Sequence, residues 1–256
     1  QRAGVDRDPA EFAAGLRVWQ IDRVPPGLHH DAIINGQIVQ EFIWPAWPKW
    51  LRPAEAASFI PWLTIQQNPH GPDLQEHAWL YQTTLAVSMS VMGRNLVGMR
   101  WVDFAWAMLG VSACYALTRR LFGRPAAWVG MTVQAVSFWS VLIGRAGIRP
   151  VTIVPLLALA GCAFWDAWCS PHLALRRFIL AGALVGLAFY GYLSARPMLL
   201  VFLAFSLYLV WTRVPGIQWR RLAAGCAALL ATTALVVAPL LYYQFMHPET
   251  NLRVDM

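Results

Sequence analysis

MRWVDFAWAMLGVSACYALT, residues 99–118, is the first of six apolar stretches that decide the fold of this chain. A helix that crosses a bilayer needs about 20 mostly apolar residues, and each stretch comes close to that length. The other five stretches are residues 126–144, 150–168, 178–195, 197–212 and 222–243. Because a membrane-spanning chain satisfies its backbone groups internally, we predict an all-α fold, a polytopic integral membrane helical bundle.

The composition supports a membrane location. Hydrophobic residues make up 58% of the chain and charged residues only 13%, whereas soluble domains carry about 25% charged residues. The 14 Trp residues favour the boundary between lipid and water. The net charge is +7, but the Arg residues lie in short clusters between apolar runs. This pattern is typical of membrane topology, so we expect a lipid bilayer and no nucleic acid as a partner.

Three Arg clusters in the loops between the spans set the predicted topology. If six spans start outside, all three clusters fall on one side, which the positive-inside rule makes cytoplasmic. They are Arg119, Arg120 and Arg124; Arg176 and Arg177; and Arg213, Arg220 and Arg221. Residues 76–92 then form an interfacial helix instead of a further span. Residues 25–31, 145–149 and 194–196 lie together on the extracytoplasmic side.

The opening loop has the sequence PPGLHHDAIING, residues 25–36. Its two Pro residues fix the backbone, and it delivers two His and one Asp to the start of a predicted helix at residues 32–42. Asp31 there has two interpretations, an N-cap of that helix or a functional carboxylate. Residues 44–75 alternate Trp, Pro and polar residues, which predicts juxtamembrane helices lying on the membrane surface.

These patterns divide the chain into four segments. Residues 1–24 are a truncated or degraded first span, and residues 25–98 are an extracytoplasmic loop with juxtamembrane helices. Residues 99–243 are the six-helix bundle, and residues 244–256 begin a further outer loop. From its polar start and abrupt end, we expect the chain to be a fragment of a longer protein.

Three Arg residues on the predicted outer face run against the positive-inside rule. Arg145, Arg149 and Arg196 therefore have one of two explanations. A guanidinium offers a planar set of donors suited to an anion such as phosphate. The alternative is that each side chain reaches out to the lipid headgroups.

Six segments, in order along the chain, resemble motifs of one family. They are PPGLHHD (25–31), EHAWLY (76–81), LTRRLFGR (117–124), GRAGIRP (144–150), YGYLSAR (190–196) and HPE (247–249). Together they resemble the GT-C class membrane glycosyltransferases of the dolichyl-phosphate-mannose–protein mannosyltransferase group (family 39), whose relatives include the lipid A aminoarabinose transferases.

The resemblance implies a glycosyltransferase of the inner (plasma) membrane. It would move a hexosyl or pentosyl group from a polyprenyl-phosphate donor to a hydroxyl of a protein, lipid or glycan acceptor. The reaction would be inverting, on the extracytoplasmic side. Asp31, at the motif's acidic position, would be the general base. Where the family usually has Asp-Glu, this chain has Asp31-Ala32.

The same resemblance, joined to the chemistry of the side chains, suggests a substrate-binding set. Arg149 and Arg196, with Arg145, are candidate phosphate clamps. Glu76 is a second acidic group for acceptor or metal. Tyr192 is a hydrogen-bond donor, and His30 completes the set.

A divalent metal held through loops is an alternative use of the His and acidic residues near the opening loop. The set would be His29, His30, Asp31, His70, Glu76 and His77. Hydrogen bonding within the loop is the favoured interpretation of these residues.

Two other functions remain open on the sequence alone. A membrane transporter is consistent with Pro155 and Pro239 inside predicted spans. A catalytically degenerate scaffold is consistent with Ala32 at the usual Glu position.

Overall fold

Helices account for all the regular structure in the part of the chain that the computed structural model describes. That part comprises residues 9–44, 79–169, 174–192, 195–212 and 219–246. The predicted all-α fold is therefore confirmed.

Ten α-helices lie in these ranges. They are α1 (Pro9–Val18), α2 (His30–Ile38), α3 (Trp79–Met92), α4 (Leu96–Phe122), α5 (Arg124–Val136), α6 (Phe138–Ala146), α7 (Ile153–Cys169), α8 (Ala174–Phe189), α9 (Pro197–Trp211) and α10 (Trp219–Met246). A π-helical turn, Val39–Ile43, continues α2, and a 3₁₀ turn, Arg149–Thr152, leads into α7.

Each of the six apolar stretches contains a helix. Three helices are long and apolar enough to cross a membrane: Leu96–Phe122, Arg149–Cys169 and Arg220–Tyr242. A fourth span results if α5 and α6, which meet at 53°, are counted as one broken span. The other two predicted spans form α8, with 16 residues, and α9, with 15 residues. Both are shorter than the usual span of about 20 residues, so the six-span topology stays a prediction.

Local signals define the ends of α4. Asn95 precedes the helix in an extended conformation, and its side chain accepts a hydrogen bond from the backbone N–H of Gly98 at 2.8 Å. Gly123 ends the helix with φ of 87°, a conformation that glycine adopts without steric cost. Arg119 and Arg120 lie in the last turn, where positive charge stabilises the helix dipole.

The described helices belong to two packing units. The first contains residues 1–72 and 81–155, and the second contains residues 73–80 and 156–256. In the first unit, α1 packs against α4 and α5. The buried centre of this packing consists of Ala13, Val111, Met131 and Ala135.

Arg17 stabilises the break between α5 and α6 in the first unit. Its buried guanidinium donates to the carbonyl oxygens of Gln134 at 3.3 Å and Ala135 at 3.0 Å, and to Ser140 Oγ at 2.8 Å. The last carbonyls of a helix lack partners within the helix itself. A side chain from α1 therefore supplies the donors that end α5 in an apolar setting.

The second unit is built on α8 and α10. Phe164, Phe178 and Phe202 lie in its buried cluster with small residues of α7 and α8. Gly182 contacts the backbone of Leu229 so closely that a Cβ atom would overlap it. Small residues allow helices to approach in this way in membrane proteins. Thr233 Oγ1 adds a hydrogen bond across the pair to the Gly182 carbonyl at 3.0 Å.

Candidate active site

The helix that carries Asp31 is capped by a neighbouring His. His29 has an extended backbone, and its Nδ1 accepts a hydrogen bond from the backbone N–H of Asp31 at 3.2 Å. The helix begins at His30, so Asp31 is its second residue. The N-cap interpretation of Asp31 is therefore wrong, because His29 fills that role. Asp31 is half-buried in the first turn, where its negative charge is favourable for the helix dipole.

Arg100 of α4 holds the loop that leads to Asp31. Its Nη1 donates to the carbonyl oxygen of Ile21 at 2.7 Å. Its Nη2 donates to the carbonyl oxygens of Pro25 and Gly27, both at 2.6 Å. One buried guanidinium thus fixes three points of the loop backbone, and the last of them lies four residues before Asp31.

Arg145, at the end of α6, holds the same loop nearer its start. Its Nη1 donates to the Leu16 carbonyl at 2.6 Å, and its Nη2 donates to Trp19 at 2.6 Å and Val24 at 2.8 Å. These contacts of Arg145 differ from its predicted role as a phosphate clamp. A side chain that is 5% exposed and whose terminal nitrogens bind backbone carbonyls has little capacity left for a ligand.

The turn after α6 contacts the start of α2. Gly147 has φ of 76°, and a Cβ atom placed on it would lie only 2.6 Å from the Cβ of Ala32. Ala32 is 1% exposed. The residue after Asp31 is thus packed directly on the turn that precedes Arg149. Two motifs separated by more than a hundred residues meet at this point.

A buried hydrogen-bonded pair lies beside this contact. The Tyr81 hydroxyl of α3 donates to Asp103 Oδ1 of α4 at 2.9 Å. Burial raises the pKa of Tyr81 well above its ordinary value, and Asp103 raises it further. The charges of Arg149 and Asp31 also act on the Tyr81 phenol, in opposite directions. The Tyr81–Asp103 pair therefore lies next to the Gly147 turn, which joins the segments that carry Asp31 and Arg149.

The other predicted site residues are placed as follows. His30 is exposed as the first residue of α2, and Arg149 is half-buried as the first residue of the 3₁₀ turn. Tyr192 is half-buried and Arg196 is exposed, and both belong to the second unit. Glu76 lies outside the described residues.

The predicted metal alternative is only partly covered by the structure. Within the described ranges, no group of three or more His, Cys, Asp or Glu side chains is arranged to hold a metal ion. His70, Glu76 and His77 fall outside those ranges, so the metal alternative is untested.

Three members of this arrangement were missing from the predicted site, namely Tyr81, Arg100 and Asp103. Arg100 and Asp103 sit three residues apart in α4, and both are buried. The sequence did contain a signal, since ionisable residues within a membrane-spanning segment are costly and usually have a function. Their spacing also puts both on one face of the helix.

Comparison with protein families gave a match. The model of the dolichyl-phosphate-mannose-protein mannosyltransferase family matches residues 76–243, more than half of the chain. Comparisons with curated proteins and with solved structures gave no match. The matched segment includes Tyr81, Asp103 and Arg149 and begins after the loop that carries Asp31. The chain belongs to the dolichyl-phosphate-mannose-protein mannosyltransferase family, whose members are membrane glycosyltransferases of the GT-C type.

Proposed function

We propose that this chain transfers a sugar from a polyprenyl-phosphate donor to an acceptor hydroxyl on the extracytoplasmic face of the inner (plasma) membrane. Asp31 is the general base. The acceptor is a hydroxyl of a protein, lipid or glycan. Family membership supports glycosyl transfer and a lipid-linked donor, and the apolar helices support a multi-pass membrane protein.

The proposed reaction is a single displacement with inversion. The Asp31 carboxylate takes the proton of the acceptor hydroxyl. The acceptor oxygen forms a bond to the anomeric carbon while the bond from that carbon to the phosphate oxygen breaks. The lipid phosphate leaves with the electron pair. Its growing negative charge requires fixed positive donors nearby, for which Arg149 is the candidate in the first unit. The role of Arg196 as a phosphate clamp stays a prediction from the sequence.

One observation carries the assignment of Asp31. Its helix starts against the Gly147 turn, and that turn leads directly to Arg149. A half-buried carboxylate and a guanidinium therefore belong to neighbouring, tightly packed elements. A base for the acceptor and a donor for the leaving phosphate need this kind of proximity, because the two groups act at opposite ends of one displacement.

Asp31→Asn is the direct test, with Asp22→Asn as the matched control. Asp22 lies in the same loop, is exposed and pairs with Arg23. We expect Asp31→Asn to reduce sugar transfer from polyprenyl-phosphate mannose in membrane vesicles by about 10² to 10⁴-fold, the usual range for a general base. Asp22→Asn should stay within about twofold of wild type. Undiminished transfer by normally expressed Asp31→Asn protein would exclude Asp31 as the base.

A degenerate scaffold is the second candidate, and Ala32 favours it. Ala32 fills the contact with Gly147 with no polar group, at the position where the family usually places a Glu. The same assay separates the two functions, since a scaffold would show no transfer above that of vesicles lacking the protein.

A further inference from the structure

Asp103 is the most unusual buried group outside the predicted site. Its side chain is 0% exposed within an apolar helix. Its Oδ1 accepts the Tyr81 hydroxyl at 2.9 Å, while its Oδ2 is buried without a hydrogen-bond partner. A buried carboxyl group is costly unless it is fully paired. Such groups in membrane segments usually serve a function.

The unpaired oxygen faces the contact that positions Asp31. Oδ2 lies 3.8 Å from the point where a Cβ of Gly147 would be, and the Ala32 Cβ lies 2.6 Å from that same point. The backbone N–H of Gly147 is directed at the same carboxyl group, but it does not reach the geometry of a full hydrogen bond to Oδ2. Asp103 thus borders both the residue after Asp31 and the turn before Arg149.

Asp103 also contacts α3, through its hydrogen bond with Tyr81. The Tyr81 side chain is buried, and the charges of both Asp31 and Arg149 act on its hydroxyl. The Tyr81–Asp103 pair therefore lies beside the contact between Gly147 and Ala32, which joins the segments that carry Asp31 and Arg149, and it is closed off from solvent. A buried pair in that place can orient the groups around it without touching substrate.

We propose that Asp103 is a positioning residue of the transferase. It holds α3 through Tyr81 and supports the Gly147 turn, and it thereby fixes the distance between Asp31 and Arg149. This inference rests on the proposed function and extends it to a residue on α4.

The test compares four single variants and one double variant of the full-length protein in membrane vesicles, with polyprenyl-phosphate mannose as donor and endogenous acceptors. Asp103→Leu removes both oxygens, and Asp103→Asn keeps an acceptor for Tyr81. Tyr81→Phe removes the hydroxyl. Asp166→Asn is the control, because Asp166 is a helical Asp that pairs with Arg177 in the second unit.

The expected pattern is specific to a positioning role. Asp103→Leu and Tyr81→Phe should each lower kcat at least tenfold while the donor KM stays within twofold. The kcat of Asp103→Asn should lie within threefold of the wild-type value, and the kcat of Asp166→Asn should lie within twofold of it. The double variant Asp103→Leu with Tyr81→Phe should have a kcat no lower than that of the less active single variant. If Asp103→Asn is as damaged as Asp103→Leu, or if the two losses multiply, the positioning role is wrong.

Hydrogen exchange provides a readout that does not depend on activity. In detergent-solubilised full-length protein, Asp103→Leu should speed amide exchange at least fivefold in residues 29–38 and 146–152, but not in α8. Unchanged exchange in both segments would overturn the proposal, even in a folded and active protein. If the wild type transfers no sugar, the proposed function fails, and exchange alone then decides whether Asp103 holds these segments.

Discussion

Arg100 Nη2 lies 2.6 Å from the carbonyl oxygen of Gly27 and, at the same distance, from that of Pro25. A residue inside a membrane-length helix thus binds the backbone of the loop that precedes the proposed base. The bonds are charge-assisted, so they are among the stronger hydrogen bonds in proteins. Removing the donor also leaves the buried carbonyl oxygen of Ile21 without this partner.

Arg100→Lys tests whether the planar guanidinium is required. A Lys ammonium is a compact point charge and lacks the fork that reaches three carbonyl oxygens. We expect a loss of about 1–3 kcal/mol in the free energy of unfolding, together with lower transfer activity. Thermal melts in detergent and the vesicle assay measure the two effects.

Arg119→Lys is the matched control for Arg100→Lys. Arg119 is on the same helix but is exposed in its last turn. Its replacement should leave the melting temperature unchanged within error. Equal shifts for the two variants would mean that the loop does not depend on the Arg100 guanidinium.

Arg17→Met tests the break between α5 and α6. Methionine fills much of the space but leaves the carbonyls of Gln134 and Ala135 without their donor. We expect a destabilisation of about 1–3 kcal/mol, measured by thermal melts. The control is Arg23→Met, because Arg23 is exposed in the loop after α1. A melting temperature for Arg17→Met equal to that of the control would show that the break needs no external donor.

The sequence predicted where helices form, but it did not predict the break between α5 and α6. The six apolar stretches became helices because long apolar runs can satisfy their backbone only in that form. The break at Ser137 has no Pro or Gly beside it. Its donor, Arg17, comes from a helix more than a hundred residues earlier in the chain, and no local pattern reports such a partner.

The candidate site was predictable in its motifs but not in its supporting residues. Asp31 and Arg149 were identified through motif resemblance and charge pattern. Arg145 carried the same signal as Arg149, yet it binds backbone carbonyls instead. Asp103 was not among the predicted site residues. Its meaning depends on Tyr81 and Gly147, which are brought to it by tertiary packing.

Gly147→Ala tests the contact between the turn and α2. The new methyl group would overlap Ala32 and would also occupy a left-handed backbone conformation. Gly123→Ala is the control, because Gly123 has φ of 87° and nothing within 4 Å of an added Cβ. Both variants place an L residue at positive φ, which costs about 1–3 kcal/mol. Only Gly147→Ala should lose further stability and transfer activity.

A second substitution shows whether the overlap with Ala32 is the cause. Adding Ala32→Gly to Gly147→Ala removes the opposing methyl group and should restore part of the lost activity. Gly147→Ala and Gly123→Ala could instead lose equal stability and activity, with no recovery of activity in the double variant. That result would show that close contact between the turn and α2 is not required.

Gly182→Ala tests the close approach of α8 and α10 in the second unit. An added Cβ would overlap the backbone of Leu229, and backbone cannot move aside as a flexible side chain can. The usual effect of Gly→Ala within a helix is a gain of about 0.5–1 kcal/mol. Gly15→Ala in α1, where an added Cβ meets nothing within 4 Å, should show that gain in thermal melts. Gly182→Ala should instead lower the melting temperature, because overpacking costs about 1–3 kcal/mol. A gain in both variants would mean that α8 and α10 can separate without loss, and that small residues do not set their distance.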